Sequence, residues 1–169
     1  MLPAKILYER PAMKNEPLSS KPLFDMHVTL QQPHVIGDNH NGRRLIFDVK
    51  SGYFEGDRLN GQMRPSGGDW LVRHPNNSFT LDVRACLETE DNALIYMSYK
   101  GRWVMSPEIA DKVLNPETCA TVDKNSYYLR NLIMFETSSK KHEWLNDIVA
   151  ISQGEITPVG ISYYVAEVC

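Results

Sequence analysis

Apolar and polar residues alternate with a period of two along most of this 169-residue chain, the pattern of strands with one dry and one wet face. In "LFDMHVTL", Phe24, Met26, Val28 and Leu30 fall on one side and Asp25, His27 and Thr29 on the other. "RRLIFDVKSGYFEG" carries the pattern through Leu45, Phe47 and Val49, and Gly52 and Gly56 flank a bend or bulge. "SFTLDVRACLETED" is the cleanest strand, with Phe79, Leu81, Val83, Ala85 and Leu87 on one face and Thr80, Asp82, Arg84, Cys86 and Glu88 on the other. A turn at Asp91-Asn92 returns it into "ALIYMSYKGRW", which makes a hairpin. Further turns are expected at Asn60-Gly61 and across Pro65-Ser66-Gly67-Gly68. "YYLRNLIMFET", "HEWLNDIVAISQGEI" and "VGISYYVAEV", rich in Tyr, Ile, Val and Phe, read as three more strands.

One segment breaks the rule. "SPEIADKVLN" reads as a helix, with Ser106 as its cap, Pro107 at its first position and Glu108 in its first turn. Ile109, Val113 and Leu114 form its apolar side, and Asn115-Pro116 stops it. Many short antiparallel strands joined by hairpins make a sandwich or a barrel, and a closed barrel leaves no exposed edge. The predicted fold is therefore all-β, a single antiparallel up-and-down β-barrel of roughly 8–10 strands with one short helix. Residues 23–169 form this domain. Residues 1–22, rich in Pro, Lys and Ser, are expected as an N-terminal extended arm, ordered only where Ile6, Leu7 and Tyr8 find a groove. A barrel of this size can hold one small ligand in its mouth or lumen.

Composition narrows the function classes. The chain is 42% apolar and 23% charged with net charge -3, which is ordinary for a globular domain. No run of Lys and Arg exceeds a dipeptide, which argues against a nucleic-acid partner. No stretch is long and apolar enough for a membrane span, and the N-terminal segment lacks the apolar core of a signal peptide, so a cytoplasmic location is expected. Cys86, Cys119 and Cys169 are odd in number and share no C-x-x-C spacing, as expected of reduced thiols. His27, His34, His40, His74 and His142 are scattered without metal-ligand spacing, and neither a glycine-rich phosphate loop nor a G-x-S-x-G elbow occurs. No metal and no cofactor are expected.

Two constellations carry candidate chemistry. Asp82 and Arg84, at i and i+2 of a strand, share one face. On the concave side of a barrel they hold a phenol, carbonyl or carboxylate while the aspartate moves a proton. On the wall they are an ion pair and a structural brace. A one-residue change of face exchanges them for Leu81 and Val83. Tyr128, Arg130, Leu132, Met134 and Glu136 share a face of a second strand, either a binding surface or an amphipathic strand facing water. Trp70, Trp103 and Trp144 are core or rim residues, or walls for a flat ligand. Trp103, in "GRWVMSP", is placed for a barrel mouth.

The ordered motifs G-x-F-x-G, G-G-D-W, L-D-x-R, D-N-A-L-I-Y, Y-Y-x-R and W-L-N, over about residues 23–168, resemble the domain of unknown function 3237 family of small, mostly bacterial and fungal proteins. The resemblance implies a single antiparallel barrel. Its shared polar positions fall on Arg44, Asp69, Asp82, Arg84, Asp91, Tyr127, Tyr128, Arg130, Glu136 and Asn146. Ala85, Asn92 and Asn131 depart from the family's usual aromatic, Gly and Thr. A fungal branch is associated with aromatic polyketide pathways, where a phenol hydroxyl adds across a prenyl alkene to close an oxygen ring without redox cofactor. The resemblance thus implies a cofactor-free cyclase acting on a small hydrophobic aromatic substrate. Asp82 is the expected proton donor, with Arg84 and Arg130 orienting the phenol. Trp70, Tyr96, Trp103, Tyr128 and Glu136 are expected around the substrate, and Asp69 is expected to brace a turn. The alternatives are a non-catalytic small-molecule-binding barrel and a hydratase or lyase of aromatic catabolism. Pairing of barrels through their outer faces leaves a homodimer as a further expectation.

Overall fold

The alternating segments become strands of one continuous antiparallel sheet. The structure, a computed structural model, describes residues 17–169. Its strands are β1 (Ser20–Leu30), β2 (His34–Asn39), β3 (Gly42–Glu55), β4 (Gly61–Asp69), β5 (Val72–Arg73), β6 (Ser78–Thr89), β7 (Leu94–Val104), β8 (Tyr128–Glu136), β9 (Ala150–Thr157) and β10 (Gly160–Val168). In space the order is β1-β10-β9-β8-β7-β6-β4-β3, and β3 pairs back onto β1 from Asp25↔Glu55 to Leu30↔Val49. The sheet is therefore a closed eight-stranded barrel in up-and-down order. β2 extends β3 as a hairpin, and β5 bridges β3 and β6 beyond the end of β4. β2 was not legible as a strand; His34, Val35 and Ile36 are exposed, so it lacks a dry face.

The dry faces meet inside. Phe24 and Met26 of β1, Leu81, Val83, Ala85 and Leu87 of β6, Ile95 and Met97 of β7, Ile133 and Phe135 of β8 and Val165 of β10 are all buried in one core. Asn92 takes the left-handed conformation (φ 62°) in the β6–β7 turn, as the hairpin requires. Beside it the Asp91 carboxylate accepts from Lys141 (2.8 Å), the Thr89 hydroxyl (2.5 Å) and His142 (3.0 Å). These donors, Lys141 first, hold Asp91 well below the usual carboxylate range and tie the turn to the loop after β8.

The helix α1 spans Pro107–Val113, capped by Ser106, whose hydroxyl accepts from the Ile109 N–H (3.4 Å). Its buried side is Ala110 and Val113, while Leu114 is exposed, so the apolar face is rotated from the expected one. The connection containing α1 runs from the end of β7 to the start of β8 and shares the core with Trp103, Met105 and Tyr127 at that end of the barrel.

Three expectations are corrected. "HEWLNDIVAISQGEI" is not one strand: Glu143–Asp147 is a short 3-10 helix and β9 begins only at Ala150. The Asn146 side chain accepts from the Thr137 N–H (2.8 Å) and donates to the Thr137 carbonyl (3.0 Å), which closes the chain into a loop. The first strand begins inside the arm expected over residues 1–22, since Ser20 already pairs with Val168 of β10; Ile6, Leu7 and Tyr8 lie outside the described residues. Pro65-Ser66-Gly67-Gly68 is not a turn between strands but lies within β4. There the pairing with β6 jumps from Met63↔Leu87 to Gly67↔Ala85, so β4 carries extra residues as a bulge. Gly67 holds φ 86°, and a Cβ there would sit 2.1 Å from the Arg84 carbonyl oxygen. Gly67→Ala is expected to lower stability by about 2 kcal/mol or more, because strain and a backbone clash add. Urea unfolding of the variant against the parent chain measures this directly.

Candidate active site

Burial along β6 decides which face looks inward. Leu81, Val83, Ala85 and Leu87 are 2%, 4%, 3% and 0% exposed, so Asp82, Arg84 and Cys86 belong to the outer wall. The expectation that Asp82 and Arg84 face the lumen is corrected: they form an ion pair of 3.1 Å with side chains 34% and 46% exposed. The Arg84 guanidinium also lies 5.3 Å from the Trp70 ring, which is half-buried against the same wall. On β8, Tyr128 and Glu136 are exposed, and Arg130 is half-buried, 5.2 Å over the Tyr128 ring, donating to the Leu129 carbonyl (3.0 Å). Tyr96 is exposed across from Glu136. The outward face is where solvation leaves these charges, since a narrow barrel has no water to offer them. Of the expected site residues, only Trp103 is buried in the core.

The barrel interior nonetheless holds polar groups, and each sits among apolar neighbours on its strand. Asp69, at the end of β4, is 6% exposed and pairs across with Val83, which pairs with Tyr99 of β7. Tyr163 of β10 comes from the opposite side, its ring 5.9 Å from that of Tyr99 and edge-on to it. Burial pushes the Asp69 carboxyl up to about 7, against the pull of a hydrogen bond from the Asp82 backbone N–H (3.1 Å). The Asp82 charge raises it further, and Arg44, which donates to the Trp70 carbonyl, lowers it. Burial likewise pushes both phenols well up, and Asp69 lies close enough for its charge to add to this at each. At neutral pH the interior therefore contains a carboxyl near its midpoint and two neutral phenols.

Two further features complete the lining. Asn131 donates to Ser152 (2.8 Å), with its carbonyl oxygen filling the space left by Gly101. Among the described residues, the buried Trp103 indole N–H and Asn131 Oδ1 have no hydrogen-bond partner. Phe79, Trp103 and Tyr127 form a chain of rings at centroid distances of 4.8 and 6.3 Å beneath the α1 connection. The Tyr127 hydroxyl is fixed by the Ile156 N–H (3.0 Å). Among the described residues, no three His, Cys, Asp or Glu side chains are grouped to hold a metal ion, and no helix is long and apolar enough to cross a membrane.

Asp69, Tyr99 and Tyr163 do not stand out as a set in the sequence, for a definable reason. The glycines before Asp69 give it the local pattern of a turn. Tyr99 and Tyr163 occupy apolar-face positions, between Met97 and Gly101 and between Ile161 and Val165. A polar-tipped ring on an otherwise apolar face was the available signal.

Fold and site together define a closed antiparallel barrel whose interior buries an acid–base cluster. The family model described as "Protein of unknown function (DUF3237)" matches residues 18–168, and the chain belongs to that family. A UPF0311 protein of Clostridium acetobutylicum is 32% identical over 124 residues, 73% of this chain and 77% of that protein. A crystal structure of a β-barrel like protein from Acinetobacter baumannii superposes with TM-score 0.79 at 29% identity, covering 93% of this chain and 99% of that one. The crystal structure of an enzyme from Penicillium herquei matches with TM-score 0.69 at 15% identity over 92% and 98% of the two chains, and shares the fold.

The raised Asp69 carboxyl has a thermodynamic signature. Between its unfolded value near 4 and its folded value of about 7, the native state holds a proton that the unfolded chain releases, so stability falls as pH rises through this window. The full effect is of order 4 kcal/mol for a group this buried. Asp69→Asn, which keeps an acceptor for the Asp82 N–H, is expected to flatten the fall between pH 4 and 7. Thermal unfolding midpoints of parent and variant across that range provide the check.

Proposed function

We propose that the chain is a cofactor-independent acid–base enzyme of the cyclase or isomerase type, with Asp69 as its proton donor. The observation that supports this reading is a buried carboxyl poised near neutral pH close to two neutral phenols, with a run of aromatic rings further along β6 and β7 in the same core. A general acid is most effective when its pKa lies near the working pH. The substrate class is a phenol carrying a prenyl group, as the resemblance to the fungal ring-closing branch suggests.

In this reading Asp69 gives its proton to the less substituted alkene carbon and leaves a tertiary cation at the other. The ring face of Tyr163, close to Asp69, and those of Tyr127 and Trp103 beyond it shield that cation. The substrate's phenol oxygen bonds to it, closing the ring, and the phenol proton returns to the Asp69 carboxylate. Substrate and product are isomers, so no oxidant, reductant or water is consumed. Tyr99, held neutral by burial, donates to the substrate oxygen and orients it. In this reading substrate enters at the end of the barrel where β7 leads into the α1 connection and β8 leaves it, and that connection moves to admit it.

Purified chain incubated with ortho-prenylated phenols is expected to form a cyclic ether of unchanged mass. Asp69→Asn is expected to slow this about a hundredfold or more. The parent kcat is expected to fall as pH rises through about 7, because the proton donor is lost. Unchanged turnover by Asp69→Asn would remove Asp69 from the mechanism, and saturable binding without conversion would make the chain a carrier barrel instead.

A further inference from the structure

We propose that the outer face of β7, β8 and β9 is a self-complementary surface on which two copies of this chain associate as a symmetric dimer. The inference is independent of the chemistry inside the barrel. It accounts for the exposed Y-Y-x-R strand, which the interior site leaves unused.

The face is apolar where a water-facing wall should be polar. Leu132, Met134 and Ile151 are 54%, 45% and 43% exposed, and Leu132 pairs directly with Ile151. Contiguous apolar patches on a soluble protein usually mark a contact surface. The face is also polar in a particular order. Along β8 the outward residues run Tyr128, Arg130, Leu132, Met134, Glu136; beyond Tyr128 a cation and an anion flank two apolar side chains. Among the described residues neither Arg130 nor Glu136 makes an ion pair.

The cationic end carries an electrostatic liability. Arg130 lies directly across from Arg102 of β7, and like charges in opposed positions of a sheet repel. A carboxylate arriving from outside would relieve this. A concavity of about 650 Å³ lies at the same end, lined by Lys100, Arg102, Arg130 and Leu132 among others.

A two-fold axis lying in the interface, across β8 at the level of Ile133, supplies that carboxylate. It stacks β8 antiparallel on its copy, so that Arg130 meets the partner's Glu136 and Leu132 meets the partner's Met134. The same operation brings Ile151 opposite the partner's Val149, another exposed apolar side chain. It also sets Arg102 opposite the partner's Tyr96, since Tyr96 is level with Glu136 and Arg102 with Arg130. Each contact occurs twice, as an isologous interface demands. A different macromolecular partner would have no reason to match this order of charges along one strand; the chain's own β8 matches it when reversed.

The test is the mass in solution, by light scattering and sedimentation, of the full chain and of single charge reversals. The parent is expected at twice the 19.3 kDa chain mass. Arg130→Glu alone sets carboxylate against carboxylate, and Glu136→Arg alone sets guanidinium against guanidinium. Each is expected at the monomer mass, with unchanged circular dichroism. Mixed in equal amounts, the two variants regain both opposite-charge contacts and are expected to double in mass as a heterodimer. A parent that stays monomeric at micromolar concentration, single variants that remain dimeric, or a mixture that stays monomeric would each overturn the proposal.

Discussion

Closure of the sheet between β1 and β3 is the constraint on which the other features depend. Once those strands pair, no barrel strand keeps a free edge, and every one has a face that water cannot reach. An eight-stranded barrel is just wide enough for its own side chains to fill it or to hold one small ligand among them. The interior therefore accepts the apolar face of each strand, and the charged face has only the outside to occupy. Leu81, Val83, Ala85 and Leu87 turn inward for this reason, and Asp82, Arg84 and Cys86 turn outward with them.

Against that background the interior polar groups are costly, and each is held by a specific arrangement. Asp69 reaches the interior because the Gly67 bulge keeps the end of β4 in step with β6. Its carboxyl then accepts a peptide N–H that has no ladder partner to spare, and burial keeps it largely protonated below neutrality. Tyr99 and Tyr163 avoid the penalty by staying neutral. Asn131 is tolerated by its bond to Ser152 and by the absence of a side chain at Gly101. The Asp91 cluster shows the opposite solution: an accessible carboxylate stays charged because Lys141, Thr89 and His142 converge on it.

The period of two made the barrel legible in the sequence, and it also fixed which residues share a face. What it could not convey was which face is inside, because Asp82 and Leu81 differ by one position and the charged face looked more like chemistry. Burial resolves this on physical grounds: four consecutive apolar positions outweigh an ion pair in choosing the dry side. Pro-Ser-Gly-Gly satisfies a turn as well as the Gly67 bulge, and only the continued pairing of β4 with β6 on both sides distinguishes them. The strand expected to begin at His142 failed for a different reason, since Asn146 takes both backbone groups of Thr137 and closes a loop before any ladder forms. The α1 cap, by contrast, was legible because capping is set by residues adjacent in sequence.

The two motifs that look catalytic in the sequence, G-G-D-W and L-D-x-R, are joined through the backbone rather than through a shared pocket. The peptide N–H of Asp82 points to the Asp69 carboxyl, and its carbonyl accepts from the Trp70 N–H (3.0 Å), so β4 and β6 grip each other at the acid. The Asp82 side chain projects to the other side of the wall, where Arg84 neutralises it and stacks toward Trp70. Even so, the Asp82 charge acts on Asp69 through the thin wall and adds to the rise that burial imposes. The Arg44 cation, which donates to the Trp70 carbonyl, pulls the other way, so charges carried by the wall on both sides of the acid bear on its protonation.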